Sequence, residues 1–311
     1  MRRTLHSLAV TLVAATTVVC AAGPASAGEH HPAPDHHGVR TSPYVALGDS
    51  YASAAGVAPF VPGSPAECSR SELNFAHDIA ARTHPSSFTD VTCSGARTSD
   101  FFSPQAETPP DPAIHPQLDA VTRNTHLVTM TIGGNDEGVF VASFFGCATV
   151  TAATGDVNGN PCQQKYGDTF VDEIRTQTYA HLVTALTAVR KKAPAATVAI
   201  LGYPEILPEK GTIDCFPVMP VSVGDVAWLN REEDVLNHVA RLAAARTGAR
   251  FIDMGPSSTG HDACQPPQQR WIEPAVGPVN AYPVHPNATG EAAMASQTLL
   301  QLGLLHPAPR H

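Results

Sequence analysis

Residues 43–50 read Pro43-Tyr44-Val45-Ala46-Leu47-Gly48-Asp49-Ser50, an apolar, β-favouring run that stops at a Gly-Asp-Ser triplet. The run lacks the period-2 alternation of a strand with one wet face, so it is read as a strand covered on both faces. Runs of the same kind recur at 88–92, 127–132, 197–201 and 250–253. Between the last three lie two stretches of helical period. In 168–192, Val171, Ile174, Leu182, Leu186 and Val189 share one face, and Pro194 closes the segment. In 226–247, Leu229, Leu236, Val239 and Leu242 do the same, ahead of a Gly248 placed to stop a helix. A final Ala-rich helix is expected over 287–302. Strands alternating with helices predict a three-layer α/β fold around a parallel sheet with right-handed crossovers.

The chain ahead of this pattern reads as export machinery. Arg2 and Arg3 precede an uncharged apolar stretch from Leu8 to Cys20, and Ala25-Ser26-Ala27 has the small residues of a secretory cleavage site. Residues 1–27 are therefore expected to leave as a signal peptide, cleaved after Ala27. A lipoprotein reading with Cys20 as the lipidated residue is weaker, because Val19 stands where a small residue belongs. No later segment approaches the ~20 apolar residues of a membrane span, so no stable membrane anchor is expected. Residues 28–41 carry His30, His31, His36 and His37 among prolines. A solvated leader is the preferred reading over a metal-binding tract. The catalytic domain is placed at 42–305 and a flexible tail at 306–311.

Cleavage removes two arginines and no acid, taking the formal net charge from −9 to −11. That balance excludes nucleic acid as a natural partner, since such binding rests on Lys and Arg neutralising phosphates. Six cysteines remain: Cys68, Cys93, Cys147, Cys162, Cys215 and Cys264. An even count in an exported chain reads as disulfides, and none forms a CxxC pair that would suggest zinc. Two long segments, 137–167 and 203–224, are rich in Gly, Pro and Thr and are expected to be loops anchored by disulfides.

Four short elements carry chemistry. Ser50 follows Gly48 and Asp49 at the end of the first strand, where open α/β sheets place their ligands. Alone, the triplet reads equally as a strand-to-helix turn with Asp49 or Ser50 as cap, and it does not match the GxSxG elbow. His285 lies in Tyr282-Pro283-Val284-His285-Pro286-Asn287, just before the last helix. A serine nucleophile needs such a base, although a lone loop histidine is usually structural. Gly133-Gly134-Asn135-Asp136 closes the third strand and offers an amide donor to an oxyanion; otherwise it is an ordinary turn. Cys93-Ser94-Gly95-Ala96 follows the second strand, with a glycine N–H as another donor.

In this order the blocks resemble the SGNH/GDSL hydrolase superfamily, and within it the secreted lipases and esterases of Streptomyces and related actinobacteria. Gly48-Asp49-Ser50, Gly95, Gly134-Asn135-Asp136 and His285-Pro286-Asn287 stand where that family has its four motifs, and four ordered blocks are far more specific than any one. The resemblance implies a flavodoxin-like sheet of five parallel strands in the order 2-1-3-4-5, and a nucleophile at Ser50 with His285 as general base. It also implies an oxyanion hole from Ser50 N–H, Gly95 N–H and the Asn135 side chain, with neither metal nor cofactor. The expected pairing is Cys68–Cys93, Cys147–Cys162 and Cys215–Cys264.

One departure stands out. Most relatives carry an Asp three residues before the histidine; this chain has Tyr282. Some Streptomyces members use a main-chain carbonyl instead, so the Tyr282 carbonyl, or a neighbour such as that of Pro283, is expected to hold His285. Asp253 and Asp262 are the other carboxylates considered. The expected enzyme is a monomeric, secreted lipase or carboxylesterase acting on a small-molecule or lipid ester. Polysaccharide O-deacetylation is the alternative, and so is a non-catalytic binding protein on the same fold. Only two tryptophans, Trp228 and Trp271, are available to line a glycan groove. Phe140, Phe144 and Phe145 either line an acyl pocket or simply pack.

Overall fold

The computed structural model describes residues 42–105 and 113–304. The signal segment, the histidine-rich leader and the tail 306–311 lie outside the described residues. Five strands, β1 Tyr44–Ala46, β2 Phe88–Asp90, β3 Leu127–Met130, β4 Thr197–Leu201 and β5 Arg250–Ile252, pair in parallel in the order β2-β1-β3-β4-β5. The helices of the described residues are α1 Ser50–Ser53, α2 Phe75–Thr83, α3 Gly146–Thr154, α4 Pro161–Tyr166, α5 Thr169–Glu173, α6 Tyr179–Lys192, α7 Val226–Thr247, α8 Gly255–Ser258 and α9 Ala288–Leu302.

Burial on both faces explains why the strands show no alternation. Tyr44 and Ala46 of β1 pack with Phe75 and Ile79 of α2 and with Met294 and Leu299 of α9. Val45 belongs to the opposite layer, with Leu182 and Leu186 of α6 and Val239 of α7. β4 divides the same way, Ala199 and Leu201 to one side and Val198 and Ile200 to the other. Each large apolar side chain so buried contributes about 1.5–3 kcal/mol. Thr129, the polar residue in the middle of β3, is buried at 2.7 Å from the Tyr44 hydroxyl.

The register aligns the strand ends. Ala46 sits beside Thr129, and the backbone continues with Leu47 N–H to Thr129 O and Asp49 N–H to Thr131 O, both 3.0 Å. At Gly48, φ is +128°, and a Cβ there would collide with the Thr131 carbonyl and the Ala52 side chain. Only glycine lets β1 end this close to β3. Side-chain caps start two of the flanking helices: Asn74 accepts from His77 N–H at α2, and Asn287 accepts from Thr289 and Gly290 N–H at α9. Gly248, at φ 73°, ends α7.

Three sequence expectations are corrected. Residues 137–167 are largely helical rather than looped: a π-helical turn, Val141–Phe145, leads into α3, and α4 follows. The 168–192 helix is interrupted by a second π-helical turn, Ile174–Thr178, between α5 and α6. Asp136–Thr154 is long and apolar enough to cross a membrane by length and composition, contrary to the reading that no later segment approaches a span. That stretch is bent at Glu137, which has φ 57°, and it buries Val139, Phe144, Cys147 and Val150 in the core. Residues 203–222 are irregular as expected, and Cys215 within them is bonded to Cys264.

Candidate active site

Ser50 is the first residue of α1 and is 7% exposed. Asp49 is the cap of that short helix, so the capping reading of the triplet holds for Asp49 while Ser50 stays at the strand end. The Asp49 carboxylate is buried beneath the serine. Its Oδ1 accepts from Tyr51 N–H at 3.1 Å and Thr131 Oγ1–H at 2.6 Å, and its Oδ2 accepts from the Tyr203 hydroxyl at 2.5 Å. Burial raises its pKa from 3.8 to about 6, against the pull of these hydrogen bonds. Gln117 clamps the preceding residue, accepting from Gly48 N–H at 2.7 Å and donating to Gly48 O at 2.9 Å.

His285 sits on a tight turn. Its own N–H donates to Tyr282 O at 3.2 Å, and Val284 is held at φ 62° with its carbonyl accepting from Tyr51 OH at 2.6 Å. A β-branched residue in the left-handed region is strained; the Tyr51 contact and backbone bonds from Val284 N–H to Glu273 O and from Glu273 N–H to His285 O, both 2.9 Å, retain it. His285 Nδ1 lies 2.7 Å from the Pro283 carbonyl. A carbonyl only accepts, so Nδ1 carries the proton and Nε2 is left with its lone pair. The expected orienting carbonyl is thus corrected from Tyr282 to its named neighbour Pro283, because the turn brings the Pro283 oxygen to Nδ1 while the Tyr282 oxygen faces the His285 amide. Burial lowers the His285 pKa, and the Pro283 bond opposes that shift. Asp253 pairs with Arg241 at 2.6 Å, and Asp262 accepts from Cys264 N–H and Gln265, so neither serves His285. The imidazole packs between Tyr51, with ring centres 5.2 Å apart, and the edge of Phe140 at 5.9 Å. No Ser50–His285 hydrogen bond is formed among the described residues, and such bonds commonly tighten only when substrate binds.

The two remaining blocks are tied to each other. Asn135 Nδ2 donates to Ala96 O at 3.1 Å, which leaves its second hydrogen for a ligand. The buried Asp136 carboxylate accepts from Thr98 N–H at 2.9 Å and from its hydroxyl at 2.7 Å. Burial raises the Asp136 pKa against those two bonds. These contacts hold the Gly95 loop against the Asn135 loop. Gly95 has φ 77°; its flanking amides are spent on Cys68 O and Cys93 O, while its own N–H makes no bond among the described residues. The Cys68–Cys93 disulfide anchors the same loop, and Cys147–Cys162 and Cys215–Cys264 are also bonded.

Residues 46–293 match the GDSL-like lipase/acylhydrolase family. The chain belongs to that family. It is therefore a carboxylic ester hydrolase of the GDSL type. Its relatives include Lipase 2 of Streptomyces coelicolor, 45% identical over 85% of this chain and 87% of that protein. Among solved structures it resembles phospholipase A1 from Streptomyces albidoflavus, with a TM-score of 0.67 and 30% identity over 84% of this chain and 98% of that one. The extracellular lipase of Streptomyces rimosus is similar, with a TM-score of 0.63 and 30% identity over the same shares.

In this GDSL hydrolase, Ser50 opens α1 just after β1, Gly95 and Asn135 lie on the loops that follow β2 and β3, and the His285 turn is tied to α1 through Tyr51. Sequence reading missed Tyr203, which donates to Asp49 and accepts from Gly134 N–H at 3.0 Å. The signal was present: Tyr203 follows the end of β4, the same kind of position that singled out Ser50 and Asn135. Thr98, Thr131 and Gln117 were missed because their partners lie 38 to 82 residues away.

Proposed function

We propose that this chain is an exported serine hydrolase of lipid-like carboxylic esters, working through an acyl-enzyme on Ser50 with His285 as general base. The observation that carries the reading is the 2.7 Å contact of His285 Nδ1 with Pro283 O. It fixes the tautomer whose Nε2 takes a proton.

Ser50 Oγ attacks the ester carbonyl carbon while its proton passes to Nε2. The tetrahedral oxyanion is met by the Ser50 N–H, the Gly95 N–H and the free hydrogen of Asn135 Nδ2. Collapse breaks the bond to the alcohol, which leaves with the proton from His285. Water then attacks the acyl-enzyme, His285 removes its proton and returns it to Ser50, and the acid departs. Phe140, whose ring packs on the His285 imidazole, supplies apolar surface beside the reacting ester. The S. albidoflavus and S. rimosus structures, a phospholipase A1 and an extracellular lipase, support a fatty-acyl ester and export. Three disulfides fit an oxidising compartment. The enzyme acts as a monomer spanning 42–305, released by cleavage after Ala27.

A fluorophosphonate probe labels the wild type and not Ser50→Ala, and a p-nitrophenyl series from acetate to palmitate gives the chain-length profile. Failure of the folded wild type to label overturns the reading.

A further inference from the structure

From Gly138 to Gly155 the chain carries no charged residue. The inward side of this largely helical stretch supplies Val139, Phe144, Cys147 and Val150 to the interior. Its outward side is exposed at Val141, Phe145, Thr149 and Ala152, positions three or four residues apart. Val141 is 59% exposed and Phe145 41%, and only 33% of the apolar stretch within Asp136–Thr154 is buried inside the protein. The other long helices of this layer present charge to water: α7 exposes Arg231, Asp234 and Arg241, and α6 ends on exposed Lys191 and Lys192. A helix face turned to water is ordinarily polar and charged, and a bare apolar one marks an interaction site.

This face begins at the active site. The Phe140 ring centre is 5.9 Å from that of His285 and 6.4 Å from that of Phe145. The apolar surface continues at the histidine turn, where Tyr282 is 46% exposed with its ring centre 6.3 Å from that of His285, and Val279 is 72% exposed. Two features select the occupant. A second copy of the chain seated here would cover the approach to His285, whereas a lipid surface would bring the ester to it. No Lys or Arg lies between 138 and 155, and the chain has a formal net charge of −9. Anionic headgroups therefore gain nothing from this face, and the complementary surface is neutral or zwitterionic.

We infer that the outward face of residues 141–152, together with Val279 and Tyr282, is a docking surface that seats the enzyme on neutral or zwitterionic lipid with the approach to His285 turned toward the lipid. This rests on the reading above of a lipid-like ester as substrate. Val141 and Phe145 supply the apolar area that leaves water on docking.

Flotation with phosphatidylcholine vesicles measures the docking, with Ser50→Ala in every protein so that no lipid is consumed. Val141→Asp combined with Thr149→Asp puts two charges on the face, and vesicle affinity falls at least about tenfold. With Ser50 intact, the same two substitutions leave kcat/KM for soluble p-nitrophenyl acetate within about twofold. Leu300→Asp, at an exposed apolar residue of α9 in the other helix layer, leaves vesicle affinity unchanged. Phosphatidylglycerol vesicles bind no more tightly than phosphatidylcholine. The inference is overturned if the protein does not float with phosphatidylcholine, if the two aspartates leave its affinity unmoved, or if they lower soluble-ester turnover as much as vesicle affinity. A lipid-free dimer that the aspartates dissociate also overturns it, since the face then belongs to a second copy. Should the double variant fail to fold, Val141→Trp decides: its emission moves to the blue when vesicles are added, and an unchanged spectrum refutes docking. Fluorophosphonate labelling and soluble-ester turnover need no lipid, so failure of the serine mechanism is read there and failure of docking on the vesicles.

Discussion

Replacing Asp49 by asparagine tests how strongly the buried carboxylate beneath the nucleophile opposes folding. Burial raises its pKa from 3.8 to about 6, outweighing hydrogen bonds from Thr131, Tyr203 and Tyr51. Between those two pH values the folded chain holds the Asp49 proton more tightly than the unfolded chain does. Stability contributed by the neutral acid is therefore complete below about 3.8 and lost as pH rises through about 6. At roughly 1.4 kcal/mol per pKa unit, that loss is ~3 kcal/mol. Asparagine removes the titration. Its amide oxygen still accepts from Thr131 and Tyr51, but its NH₂ meets a Tyr203 hydroxyl that previously donated over 2.5 Å. Stranding that proton costs about 1–3 kcal/mol at every pH. Urea unfolding of both proteins from pH 3.5 to 7.5 reads the difference directly, and other buried acids cancel between them. The expected result is a variant less stable than the wild type in acid that gains ~3 kcal/mol on it by neutral pH. A difference that stays constant across the range refutes the argument.

Asn135→Ala removes one oxyanion donor, so kcat should fall about 10²–10³-fold while loss of its 3.1 Å bond to Ala96 O lowers stability by only ~1 kcal/mol; a kcat loss under tenfold with normal melting contradicts the assigned role. Tyr282→Phe removes a 2.8 Å contact with Ser69 and nothing from the imidazole, so kcat/KM should stay within about twofold, and abolished activity would mean that the phenol itself acts on His285. Burial lowers the His285 pKa below its ordinary 6.5. Because the base works only when neutral, the acid limb of kcat/KM against pH should fall below that value, and a limb at or above it refutes the assignment.

What was legible in the sequence is what local chemistry writes into it. Strands buried on both faces leave continuous apolar runs, and a Gly-Asp-Ser or a Gly-Gly-Asn-Asp after such a run marks a loop at the sheet edge. What escaped depends on partners far along the chain. The start of α4 is capped by Asp225, which accepts from Cys162 N–H at 3.0 Å and Gln163 N–H at 2.9 Å across more than sixty residues. No local pattern announces that cap. Gly138, Gly146 and Gly155, with the threonines of α3, argue for a loop by propensity. Packing of Phe144 and Cys147 in the core, with Val150 buried beside them in sequence, overrides that preference. The turn that carries His285 is the clearest case. Its left-handed Val284 is a conformation the residue disfavours, retained by backbone bonds to Glu273 and by a Tyr51 hydroxyl from 233 positions away.

Under the proposed mechanism, that turn also bears on how the enzyme divides its electrostatic work. A carboxylate facing Nδ1 would hold the tautomer and also stabilise the imidazolium that forms when Ser50 loses its proton. The Pro283 carbonyl also holds the tautomer, but it brings a dipole where relatives with an aspartate bring a charge. The lowered His285 pKa is the equilibrium counterpart of that difference, since burial is opposed by a neutral acceptor alone. Less of the transition state's positive charge is then compensated at the base, and more of the barrier reduction falls to the side where negative charge develops. The structure is built accordingly. Asn135 and Gly95 sit on two loops cross-tied by Asn135 to Ala96 and by Asp136 to Thr98, and the Cys68–Cys93 disulfide anchors the Gly95 loop from its other side. Rigid donors of this kind need no reorganisation when the oxyanion forms, which is why loosening the Asp136–Thr98 tie should injure turnover more than its distance from Ser50 would suggest.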